Sequence, residues 1–153
     1  MKSITEKTRD ALIELGANPS NSGFEYMLRA LEILEKEPDY LNDICLLYSN
    51  IADNSVNSTA TATRVERAIR HMVDTIVLHS NYAVLNKYVS TNAIKENGRI
   101  TNSAFIASLH YKLADVEQQK ASIEVNRGSD SSVTIQLDRE TASKLMQALK
   151  AVL

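Results

Sequence analysis

Apolar positions recur along this chain at the spacing of helices for most of its length. From Phe24 to about Glu35, Phe24, Met27, Leu28, Leu31 and Leu34 fall three and four apart, which predicts an amphipathic helix. Ahead of it, ITEKTRDALIEL at residues 4–15 reads as a helix stopped by Gly16, and ANPSNSG follows as a loop broken by Pro19 and Gly23. After Pro38, YLNDICLLYSNIAD at residues 40–53 predicts a third helix. Leu41, Ile44, Cys45, Leu46, Leu47 and Ile51 surround much of its circumference, so a central position is expected. NSVNSTATA at residues 54–62 is a loop of capping residues, and a helix is predicted over residues 63–79. NYAVLNKYV reads as a short helix, STNAIKENGRI as a loop turning at Gly98, and TNSAFIASLHYKLADVEQQ as a helix opened by a Thr or Asn cap.

The pattern changes near the end. SIEVN and SVTIQL are short β-branched runs separated by RGSDS, a hairpin signal. Asp138 is placed to cap a last helix whose Ala142, Leu145, Met146, Leu149 and Val152 form one stripe. An isolated hairpin is barely stable in water, so residues 121–153 must pack on the helical body or on another chain. The expected architecture is mainly α: a helical bundle over residues 1–120 with a β-hairpin and helix appendage over 121–153.

Composition agrees with helices. Four Gly and two Pro in 153 residues leave few breakers, and an aromatic share of 5% leaves the core to aliphatic side chains. The N-terminus has no apolar signal region, and no run approaches the roughly 18 apolar residues of a membrane span. A cytoplasmic protein is expected, with the single Cys45 as a buried, inert thiol. Phosphate-binding glycine loops, nucleophile elbows and paired Cys/His ligands do not occur, and His71, His79 and His110 are scattered. Neither an enzyme nor a cofactor or metal protein is expected.

Charge is uneven. Residues 1–54 carry five basic and ten acidic side chains, whereas residues 55–112 carry seven basic and three acidic ones. A near-neutral chain can therefore still present a positive face, the electrostatic footprint of a nucleic-acid binder. Along RVERAIRHMVDTI, residues 64–76, helical spacing gathers Val65, Ala68, Ile69, Met72, Val73 and Ile76 on one side. Arg64, Arg67, His71 and Asp74 gather in a stripe on the other, with Arg70 at its border and Glu66 nearer the apolar edge. Arginines in the first turns suit a recognition helix, because the guanidinium fork bonds guanine O6 and N7 together, worth about 1–3 kcal/mol of discrimination. Periodicity alone does not separate this from an ordinary solvated face, which most arginine-bearing helix faces are. Thr63 to Glu66 also matches a capping box, and Glu66 stands four residues before Arg70, so both local roles compete with base reading by Glu66.

RVERAIRH resembles the recognition helix of the DNA-binding effector domain of the stage-zero sporulation protein A family. Gly16, Gly23 and Tyr26 keep the spacing of that family's opening helix pair, and TNSAFIASLHYKLA at residues 101–114 resembles its final helix. The resemblance covers about residues 8–117. It implies a helix-turn-helix within a helical bundle that binds double-stranded DNA in the major groove, with tandem copies head-to-tail. Carried over, Arg64, Glu66 and Arg67 are the base-proximal residues, and Arg70 and His71 touch phosphate or support the face. With Thr63 they make up the expected DNA-binding set.

Three departures accompany the resemblance. Too few residues precede Gly23 to hold a receiver domain, so control by aspartyl phosphorylation is not expected. The loop over residues 54–62 exceeds the roughly 3–4 residues usual for a helix-turn-helix. Residues 121–153 extend past the family domain and are expected to replace the receiver as a dimerisation element. The expected partners are thus double-stranded DNA, a second copy as homodimer or tandem neighbour, and RNA polymerase. The rival reading is a non-enzymatic adaptor that keeps the fold and binds another regulator.

Overall fold

Ser3 opens the first helix, α1 (Ile4–Glu14), through a reciprocal capping box. The Ser3 hydroxyl accepts from the Glu6 amide at 3.2 Å while the Glu6 carboxylate accepts from the Ser3 amide at 2.8 Å. Gly16 ends it at φ 83°, a left-handed conformation that costs glycine nothing. The computed structural model describes residues 1–118, 121–127, 131–137 and 139–152. They divide into two compact units, Met1–Leu113 and Ala114–Leu153.

In the first unit, Asn21 caps α2 (Ser22–Lys36) by accepting from the Gly23 amide at 3.0 Å. Phe24, Met27, Leu28, Leu31 and Leu34 are all buried, as their spacing predicted. Gly23 sits where α2 crosses α4 (Ala62–His79): a Cβ there would lie 2.3 Å from the Ala68 carbonyl oxygen. The close crossing lets α2 and α4 share one core with Leu12 and Leu15, and with Phe105, Ile106 and Leu109 further along the chain.

Residues 40–53 are not one helix. A 3-10 turn, Pro38–Asn42, precedes α3 (Ile44–Asp53), and Asp43 between them leaves helical geometry at φ −140°. Its carboxylate accepts from the Leu46 amide at 3.0 Å and starts α3 afresh. The expected central position of this helix is also corrected. Only Leu47, Tyr48 and Ile51 are buried, because α2 and α4 cover one face; Leu46 is 53% exposed and Cys45 is exposed rather than buried.

α5 (Tyr82–Tyr88) follows its Asn81 cap, and Gly98 turns the next loop at φ 75°. α6 (Asn102–Gln118) opens where Thr101 Oγ1 accepts from the Ala104 amide at 3.2 Å. Half-buried His110 lies edge-on to Tyr111, and burial lowers its pKa below the ordinary imidazole value. Among the described residues no helix is long and apolar enough to cross a membrane.

In the second unit, β1 (Ala121–Arg127) pairs antiparallel with β2 (Ser131–Leu137), in a register running from Ala121 opposite Leu137 to Arg127 opposite Ser131. Of the turn expected at RGSDS, residues 127–131, Arg127 and Ser131 belong to the strands, and residues 128–130, like the cap expected at Asp138, lie outside the described residues. α7 (Arg139–Val152) returns beside β1 and carries a Glu140–Lys144 ion pair at 2.7 Å. On its stripe, Leu145 is half-buried while Met146 and Leu149 remain 49% and 44% exposed.

Candidate nucleic-acid interface

α4 is anchored by one face and displays the other. Val65, Ile69, Met72, Val73 and Ile76 are buried, which fixes the rotation of the helix about its axis. That rotation leaves Thr63, Arg64, Arg67, Arg70, His71 and Asp74 exposed, with Glu66 half-buried at the edge. Ala68, assigned to the buried side by spacing, is half-buried where α2 crosses.

The helix begins one residue earlier than expected, and its cap is Thr61. The Thr61 hydroxyl accepts from the Arg64 amide at 3.2 Å. The capping box expected from Thr63 to Glu66 is therefore absent: Thr63 is already helical, which puts Glu66 beyond the first turn and out of reach of a cap amide. The other local role expected of Glu66 is present, since Arg70 Nη2 donates to Glu66 Oε1 at 2.7 Å.

The three arginines have three different surroundings. Arg64 Nη1 donates to the Thr59 carbonyl at 3.0 Å, so its tip folds onto the preceding loop. Arg70 is held by Glu66. Arg67, between them, makes no side-chain hydrogen bond or ion pair among the described residues. All three stand in the first half of the helix, and Arg64, in its first turn, lies where the N-terminal dipole adds positive potential.

Behind this face, the TNS stretch has a structural role that spacing alone does not show. Asn102 is 7% exposed, and its Nδ2 donates to the Glu66 backbone carbonyl at 3.1 Å. Asn102 thus ties the start of α6 to the exposed turns of α4. Nearby on α3, the buried Tyr48 phenol has its pKa pushed up by burial.

Lys95, Asn97 and Arg99 were not singled out by sequence pattern, yet they line one depression with Arg70 and Asp74. A tight turn places them. The Lys95 amide donates to the Arg99 carbonyl at 2.9 Å, the Gly98 amide donates to Lys95 at 2.8 Å, and Asn97 Oδ1 accepts from the Arg99 amide at 3.1 Å. The only sequence signal for them is the basic excess of residues 55–112. No cluster of metal-ligating side chains occurs among the described residues.

Comparison with known protein families gives a match to the model described as "Sporulation initiation factor Spo0A C terminal", over residues 8–113. That family is the DNA-binding domain of a sporulation transcription factor. The matched span contains α3, the loop and α4, together with the Asn102 tie, and the chain belongs to the Spo0A C-terminal family.

Proposed function

We propose that this chain is a sequence-specific regulator of transcription that lays the N-terminal half of α4 in the major groove of double-stranded DNA. The observation carrying this reading is the exposed basic face of α4, held in one rotation by five buried side chains on the opposite face. Arg67 has a free guanidinium and reads base edges, with Arg64 beside it. Thr63, at the tip, and His71, two turns on, meet the sugar-phosphate backbone. Arg70 reaches phosphate when it leaves Glu66, and Glu66 acts chiefly on Arg70 rather than on a base.

Lys95 and Arg99 extend the positive surface past α4 and contact phosphate on the flank of the groove. Phosphate contacts of this kind fix register, while the α4 arginines specify sequence. The apolar stripe of α7 supports assembly as a homodimer through residues 121–153, which would present two α4 helices to repeated or palindromic half-sites. RNA polymerase is the further partner of such a regulator.

The test is duplex binding by fluorescence anisotropy across a salt series. A DNA-binding α4 gives an affinity that falls steeply with salt, as bound phosphates release counterions. Absence of duplex binding, with capture of a protein partner instead, would favour the adaptor reading.

A further inference from the structure

In the loop ahead of α4, residues 54–61, the Asn57 side chain holds Thr59 by two hydrogen bonds. Asn57 Oδ1 accepts from the Thr59 amide at 3.1 Å and from the Thr59 hydroxyl at 2.8 Å. The Asn57 backbone joins in: its amide donates to Ser55 Oγ at 3.2 Å and its carbonyl accepts from Ala60 at 3.0 Å. These bonds fix the Thr59 peptide, and the Thr59 carbonyl is the group that accepts from Arg64 Nη1. Two residues later Thr61 holds the Arg64 amide. The loop therefore grips Arg64 at both ends, backbone and guanidinium.

We infer that Asn57 is a positioning residue for DNA sequence discrimination, acting through the Thr59 carbonyl to hold Arg64 in its base-reading pose. The inference rests on α4 reading DNA. A peptide carbonyl suits this role better than a carboxylate does. It restrains the side chain but leaves its full positive charge, whereas Glu66 neutralises Arg70. It also engages only one of the five N–H donors of the fork, so an edge remains for a base. An arginine ordered before binding loses less rotamer freedom on the duplex, which improves affinity where its contacts are made.

The test uses the full chain and anisotropy with the preferred duplex and its single-base-pair variants. Arg64→Ala identifies the base pair that Arg64 reads. Asn57→Ala is expected to lose about 3- to 10-fold of discrimination at that base pair and little elsewhere. Asn57→Asp keeps both acceptor positions and is expected to restore the discrimination, and Asn57→Ala adds no further loss in the Arg64→Ala background. Unchanged discrimination in Asn57→Ala, or an equal loss at every position, overturns the inference.

A second readout needs no DNA. In nitrogen-15 spectra of the free protein, rotation of the Arg64 guanidinium is expected to be hindered in the parent chain and fast in Asn57→Ala, while Arg67 rotates fast in both. A freely rotating Arg64 in the parent chain overturns the positioning role. A held Arg64 in a chain that binds no duplex instead overturns the DNA-binding reading.

Discussion

Arg70 and Glu66 stand one helical turn apart on α4 and are joined by an ion pair of 2.7 Å, with 62% and 39% of their side chains exposed. The pair stabilises the helix only modestly, because both partners keep water and compete with salt. Its larger effect is on charge. It withdraws Arg70 from the surface offered to a polyanion and assigns Glu66 a partner within its own helix.

Glu66→Ala is therefore expected to lower stability by roughly 0.3–0.5 kcal/mol, the range for exposed pairs at this spacing. It is also expected to strengthen binding to all duplexes alike, as Arg70 is freed for phosphate. Thermal melting and anisotropy on matched and scrambled duplexes check both effects. A changed sequence preference would show instead that Glu66 reads a base.

Gly23→Ala tests the crossing that aims α4. A methyl group 2.3 Å from the Ala68 carbonyl oxygen cannot be accommodated without moving α2, because the obstacle is backbone. The expected loss is about 1–3 kcal/mol, the usual range for overpacking. Urea denaturation measures it, and parental stability would contradict the close approach.

The α1–α5 contact predicts a pH dependence. Glu14 accepts from the Tyr88 hydroxyl and from Lys87 Nζ at 2.9 Å, bonds that hold its pKa below the ordinary carboxylate value. Because the folded value is the lower one, its contribution is present above the ordinary pKa of 4.5 and is lost as pH falls through the folded value. Tyr88 is shifted upward by burial and then by Glu14, and Lys87 upward by Glu14. Their contributions are present below the ordinary values of 10.0 and 10.5 and are lost as pH rises through the folded ones. Melting temperature against pH should thus fall on both flanks, and Glu14→Gln should weaken the acid flank. An acid flank of equal slope in that variant would remove the contact from the account.

Residues 121–153 are expected to carry self-association through the α7 stripe, where Met146 and Leu149 are exposed. Deleting them should convert a dimeric mass to a monomeric one by light scattering. An oligomeric state unchanged by the deletion would place the interface elsewhere.

Periodicity was a good guide wherever burial follows from one face, as for Phe24 to Leu34 and Val65 to Ile76. It misled at Cys45 and Leu46. An apolar circumference says that a helix is able to be central, whereas the neighbours decide how much of it is covered. The cap of α4 was misplaced for a local reason. Thr59, Thr61 and Thr63 alternate with alanines, each is a plausible cap, and only the fold selects Thr61. Lys95 and Arg99 were illegible as site residues because a turn far from α4 in sequence brings them to Arg70. The Asn102 bond to the Glu66 carbonyl is likewise tertiary, although the TNS stretch itself was legible by resemblance.

The most direct measurement is the affinity of Arg67→Ala for the preferred duplex, selected from a random pool, against a scrambled duplex at the same salt. If the exposed face of α4 reads sequence, the variant loses about 1–3 kcal/mol on the preferred duplex, hardly changes on the scrambled one, and melts like the parent. An affinity equal to the parent's on both duplexes, in a variant that folds normally, would contradict the assignment of α4 as the reading helix.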